Sequence, residues 1–232
     1  MKKIAILFMG LVISMAVHAQ EIETMVGCDF VSSYIWRGQN LGNTSMQPTL
    51  GVEYKGLSLT AWGSVGLVNL FDAKEFDLTL EYTTGGFNIG ITDYWLDEGA
   101  EPEGLYFKYG ALSTNHVFEA NVGYDFGFAS LNWFTNFAGN DGRYNGKRAY
   151  SSYFEVNVPF QLASVDWSFT AGAVPFATDF YGTTGFAVTN LALTVSKDIK
   201  VTDSFSIPVF AQVVANTFSQ MAYFVFGFTL QP

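Results

Sequence analysis

The sequence predicts an all-β chain, a single transmembrane antiparallel up-and-down β-barrel of about twelve strands, with about ten as the alternative count. Three observations predict it. Apolar and polar residues alternate over stretches of about ten positions, the length a tilted strand needs to cross an outer membrane. The connections between these stretches are short and long in turn. The composition is rich in aromatics (17%) and Gly (23 residues) but low in charge (14%), which suits membrane strands better than a soluble domain of this size.

Residues 1–19 have the form of a cleaved secretory signal peptide. Met1, Lys2 and Lys3 give a positive start, Ile4 to Val17 is apolar, and Ala19 is a small residue before Gln20. The apolar run is too short for a spanning helix. This leaves 20–232 as one outer-membrane barrel domain, with no linker or charge block dividing it. The run Met25, Val26, Gly27, Cys28 loosely resembles the surroundings of a lipidated cysteine, but a charged stretch separates it from the apolar run. Cys28 therefore reads as a small apolar filler, and a lone cysteine forms no intramolecular disulfide.

The strands follow in order. Val26, Phe30, Tyr34 and Trp36 share a face, then Leu50, Val52 and Tyr54 lead into a tight turn at Lys55 and Gly56. Leu57, Leu59, Ala61, Val65 and Leu67 return. The clearest alternation sets Phe76, Leu78, Leu80 and Tyr82 against Glu75, Asp77, Thr79 and Glu81, which period two sends to opposite faces. A turn at Gly85 and Gly86 leads to Phe87, Ile89 and Ile91. Leu105 to Gly110 reads as an extension of a neighbouring strand, and parity fails at Asp93, which falls on the apolar face. Phe118 to Tyr124 turns at Gly127 into Leu131, Trp133 and Phe137. Phe154 to Phe160 pairs with Val165 to Ala171, and the last hairpins use Leu191 to Val195, Phe205 to Val213 and Phe224 to Leu230.

Short turns near Lys55, Gly85, Gly127 and Gln161 alternate with long polar connections near Gly42, Asp72, Glu101, Asn140 and Tyr181, as in barrels with short periplasmic turns and longer outer loops. Alternation alone also fits an exported soluble sandwich with its apolar face inward. Aromatics near strand ends (Trp36, Tyr54, Tyr82, Tyr124) and the aromatic final strand favour lipid.

With lipid outside, the lumen receives Asp29, Glu53, Glu75, Asp77, Glu81, Glu119, Glu155 and Asp166, and Arg37 is the one obvious inward base. Unpaired carboxylates are costly to bury dry. Either the lumen holds water, giving a pore that prefers cations, or basic loops fold in as a plug, and the loop with Arg143, Lys147 and Arg148 is the candidate. Arg37 at the outer end of the first strand either binds an anionic group or braces acidic neighbours. Trp62 lies on the inner face, stacking on a ligand or filling volume.

His116 is the lone histidine after the leader, and Thr135 on the next strand is its candidate nucleophile partner. No nucleophile motif accompanies them, so a polar aromatic at the interface is the expected role and no enzyme is expected. Asp97, Glu98, Glu101 and Glu103 lack calcium-loop spacing and read as a solvated loop. No metal or cofactor is expected. The chain carries 11 basic and 21 acidic residues, net −10, which disfavours nucleic acid as a partner.

The run Asp29 to Gly38 (Asp-Phe-Val-Ser-Ser-Tyr-Ile-Trp-Arg-Gly) resembles the opening strand of the TorF-like porins. Leu57 to Ser64 is similar to that family's third strand, and Ile207 to Phe210 with Ala222 to Gly227 is similar to its ending. The resemblance implies an outer-membrane barrel of unassigned transport role. The expected partners are outer-membrane lipid, the barrel-assembly machinery and small solutes. The function expected is passive diffusion of small solutes with weak cation preference, against a plugged barrel whose loops serve structure or adhesion and, third, an outer-membrane enzyme.

Overall fold

The computed structural model describes residues 22–69, 72–97, 105–110, 113–141, 143–144 and 147–232. The leader at 1–19 and Glu98, Glu101 and Glu103 lie outside the described residues.

Every regular element among them is a strand. The elements are β1 (Ile22–Val31), β2 (Tyr34–Trp36), β3 (Gln39–Gly42), β4 (Ser45–Tyr54), β5 (Leu57–Gly66), β6 (Lys74–Thr84), β7 (Phe87–Asp97) and β8 (His116–Asp125). They continue with β9 (Ser130–Gly139), β10 (Arg143–Tyr144), β11 (Lys147–Arg148), β12 (Ser152–Leu162), β13 (Val165–Val174), β14 (Ala187–Lys200), β15 (Ser206–Asn216) and β16 (Met221–Leu230). Twelve of them close into one barrel in the order β1, β16, β15, β14, β13, β12, β9, β8, β7, β6, β5, β4. Every ladder is antiparallel, and β1 meets both β4 and β16. The pairs β2–β3 and β10–β11 are separate hairpins within long connections.

Turn chemistry sets the short end. Lys55 and Gly56 take φ of 52° and 82° and Gly85 and Gly86 take 55° and 87°, the double positive φ of two-residue turns that match strand twist. Ala163 and Ser164 adopt the same form at 54° and 59° without glycine, so that turn is held by the β12–β13 ladder rather than by its own residues. Register then follows alternation: Leu59 pairs with Leu80 and Leu80 with Ile91, while Thr60 pairs with Thr79 and Thr79 with Thr92.

The outside of the barrel is apolar and open. Phe224 is 65% exposed and Leu50 62%, with Leu59, Ile89, Ile91 and Phe226 also exposed. Tyr54, Tyr82 and Tyr124 sit exposed at the short-turn end, as expected of a girdle. Trp36 and Tyr34 do not belong with them. After Val31 the chain bends at Ser32 and Ser33, so both rings sit in the β2–β3 hairpin, Tyr34 against Trp62 (centroids 5.5 Å) and Trp36 against Tyr94 (5.8 Å).

Two other expectations are corrected. Leu105 to Gly110 is no strand extension but a turn segment, and Tyr106 packs on Phe76, Trp95 and His116. In the candidate plug loop Arg148 donates to the Gly139 carbonyl (3.2 Å) and Lys147 is exposed, so neither pairs with a lumenal acid among the described ion pairs, and the Arg143 side chain lies outside the described residues.

Candidate functional site

A twelve-stranded barrel is wider than the eight-stranded one whose side chains just fill it, so its interior needs water or inserted chain. Here the end with the long connections receives chain. The residues 32–44 fold inward as the β2–β3 hairpin, and 175–186 fold inward beside them. Their rings meet: Trp36 stacks on Tyr181 (6.0 Å, 15°) and meets Phe180 edge-on (6.0 Å, 84°).

Arg37 stands at the centre of this cluster. It occupies the tip of the hairpin rather than the end of the first strand, with φ of 49°, and Gly38 follows at 80°. Asn216 Nδ2 donates to the Gly38 carbonyl (3.1 Å) and fixes the tip against the wall. A Cβ on Gly38 would collide with the Thr189 carbonyl. Glycine is thus required there both for its positive φ and for the close approach.

From this tip Nη1 of Arg37 donates to Glu119 Oε2 (2.6 Å) and Nη2 to Oε1 (2.9 Å), the bidentate geometry that a planar guanidinium offers a carboxylate. Nη1 also donates to the Tyr181 hydroxyl (2.6 Å), and the Tyr94 hydroxyl donates to Glu119 Oε1 (2.9 Å). The guanidinium carbon lies 4.0 Å from the Phe134 ring centre, 4.3 Å from Trp36 and 4.7 Å from Tyr153, within cation–π range of all three. Burial pushes the Tyr181 phenol up, so it stays neutral as an acceptor for Arg37. Of the two roles expected for Arg37, the contacts are those of a brace.

Tyr153 extends the cluster downward. It is fully buried, donates to Glu155 Oε2 (2.8 Å) and accepts from Asn190 Nδ2 (3.1 Å). Val174 is equally buried beside it. A side chain at Gly172 would occupy the Tyr153 ring position. Ser151 and Thr178 share a short hydroxyl contact that ties the 175–186 segment to the start of β12.

Toward the short-turn end the wall changes character. Asn121 Nδ2 donates to Glu81 Oε2 (3.1 Å) and to Asn88 Oδ1 (3.3 Å), Asn157 to Thr170 (2.8 Å), and Gln212 to Thr194 (2.9 Å). Glu53, Glu81 and Glu155 are half-buried along this wall. Asp29 accepts from Thr229 (2.6 Å) at the β1–β16 seam. Asp166 accepts from Gln161 (2.8 Å) and lies exposed at the rim. Trp62 packs on Tyr34 and fills volume inside. Glu75 and Asp77 are buried at 8% and 7% exposure, and Glu75 Oε2 and Asp77 Oδ1 have no hydrogen-bond partner.

The candidate catalytic pair is not assembled. His116 is fully buried, with Nδ1 2.7 Å from Asp93 Oδ1 and Nε2 2.5 Å from the Tyr106 carbonyl. Thr135 bonds instead to Ser152 (2.9 Å) and to Trp133 Nε1 (2.8 Å). Both ring nitrogens of His116 are committed, so the ring has none left to activate a hydroxyl. Asp93 is thereby accounted for. Its register partners are Leu78 and Phe118 on the outer face, where His116 and the Tyr106 segment give it a partner and a cover.

No protein-family model matches the chain, and no curated protein matches it in sequence. The likeness to TorF-like porins therefore rests on the strand residues quoted above.

Proposed function

We propose that the chain is an outer-membrane barrel acting as a narrow, weakly cation-preferring diffusion pore for small solutes, constricted by the Arg37 cluster. Export would use the leader at 1–19, insertion the barrel-assembly machinery, and outer-membrane lipid would cover the apolar belt. The resemblance of Asp29 to Gly38 and of Leu57 to Ser64 to TorF-like porins supports the outer-membrane barrel and leaves its transport role unassigned.

The observation that carries the reading is the charge imbalance of the inner wall. Arg37 and Glu119 neutralise one another, whereas the half-buried Glu53, Glu81 and Glu155 have no basic partner among the described ion pairs. A hydrated lumen is what makes such a wall affordable, and its field concentrates cations.

A sealed barrel is the second reading, and the complete burial of Tyr153 and Val174 within the cluster favours it. Reversal potentials in planar bilayers under a potassium chloride gradient separate the two. The pore reading expects a cation-side reversal potential that moves toward zero in Glu81→Gln with Glu155→Gln. An anion-side potential, or the absence of current from both wild type and Arg37→Ala, overturns it.

A further inference from the structure

Between the inserted hairpin and the wall lies a cavity of about 360 Å³, at the low end of the range of small-molecule sites. Its walls include Tyr34, Trp36, Tyr94 and Phe180, and two carboxylates, Glu75 and Asp179, face it. It lies at the end with the long connections, beside the Arg37 cluster, with which it shares Trp36, Tyr94 and Phe180.

Glu75 is the informative group. It is 8% exposed, lines the cavity, and has no basic partner among the described ion pairs. The Tyr34 hydroxyl interacts with its carboxylate, yet Oε2 has no hydrogen-bond partner. The terminal torsion of a glutamate is broad, so either oxygen can turn to the cavity. An orphaned carboxylate oxygen asks for a positively charged N–H donor, because a charge-assisted bond of that kind is about twice as strong as a neutral one. Aromatic walls add attraction for a cation and bury an apolar body. A bare metal ion would use the acids but leave the four rings without a role, and a quaternary ammonium would use the rings but offer Oε2 no hydrogen.

We propose that this cavity is a binding site for a primary organic ammonium, its –NH₃⁺ held by Glu75 and its carbon body between Tyr34, Trp36, Tyr94 and Phe180. The site deepens the cation preference proposed above but does not require conduction.

Titration calorimetry on the full chain refolded in detergent tests it, with n-butylammonium chloride as probe. Saturable one-to-one binding is expected, weaker for tetramethylammonium and absent for n-butanol. Glu75→Gln keeps the shape of the side chain and is expected to lower n-butylammonium affinity by about tenfold or more. Tyr34→Leu removes a wall and is expected to weaken n-butylammonium while leaving any calcium heat unchanged. The proposal is overturned if n-butylammonium gives no saturable heat, if Glu75→Gln binds it as wild type does, or if n-butanol or calcium alone saturates the site. Because no current is read, a non-conducting barrel that binds the amine refutes the pore and leaves the site standing.

Discussion

Replacing Arg37 with Met removes the guanidinium while keeping most of the side chain's length, and the structure sets what this should cost. Glu119 is 2% exposed at its side chain. Without Arg37 it keeps, among the described residues, the Tyr94 hydroxyl, which cannot compensate a buried negative charge. Removing one partner of a buried ion pair typically costs about 3–5 kcal/mol. The lost cation–π contacts with Phe134, Trp36 and Tyr153 belong to the same guanidinium, so they push the figure toward the upper end of that range rather than adding in full. Urea unfolding in detergent micelles, followed by tryptophan fluorescence, reads the loss directly. Adding Glu119→Gln to Arg37→Met should restore a large part of it, because the stranded charge is gone. If Arg37→Met unfolds within about 1 kcal/mol of wild type, the pair behaves as a solvated surface bridge, and the dry cluster described here is wrong.

Asp77→Asn should act in the opposite sense, leaving stability unchanged or raising it by about 1 kcal/mol, since it removes a buried charge with an unpartnered oxygen; a clear loss in the same unfolding assay would mean the carboxylate has a partner. His116→Leu should strand Asp93 and free the 105–110 segment, costing about 2–3 kcal/mol, with faster limited proteolysis at that segment and no change in hydrolysis of ester substrates. Proteolysis that stays as slow as in wild type would refute the bracing role of His116. Gly172→Val should evict the Tyr153 ring and enlarge single-channel steps, and an unchanged step size would show that Tyr153 does not bound the passage.

Much of the barrel was legible because two rules act locally. Period two assigned Leu59, Leu80 and Ile91 to one face, and Lys55-Gly56 and Gly85-Gly86 announced their turns. At the short-turn end the exception is Ala163-Ser164, whose turn the β12–β13 ladder holds. The inward hairpin was harder to see, because Tyr34 and Trp36 continue the apolar parity of Phe30, and alternation cannot tell a strand that runs on from one that bends at Ser32 and Ser33. The signal present was Arg37-Gly38, a residue pair suited to a two-residue turn. It marks a hairpin tip, not a strand end.

The site was legible only in part for a related reason. Glu119 and Arg37 were both expected inside, but their pairing spans 82 positions, and no local pattern encodes which of many lumenal acids a single base will choose. The selection comes from three-dimensional packing: Phe134, Trp36 and Tyr153 leave one slot for a planar cation, and Glu119 lies at its end. Lys147 and Arg148 form a charge cluster in the sequence, yet Arg148 spends its guanidinium on the Gly139 carbonyl and Lys147 is exposed. Asp93 broke parity because its partner, His116, sits on the same outer face, where a charge is tolerated once paired and covered.

The central claim, a hydrated acidic barrel narrowed by the Arg37 cluster, is tested most directly by single-channel conductance of wild type beside Arg37→Ala with Tyr181→Ala in planar bilayers. Small wild-type steps, and clearly larger steps with the cation preference kept or strengthened in the double variant, are the expected result. Equal steps from the two proteins, or none from either, would contradict it.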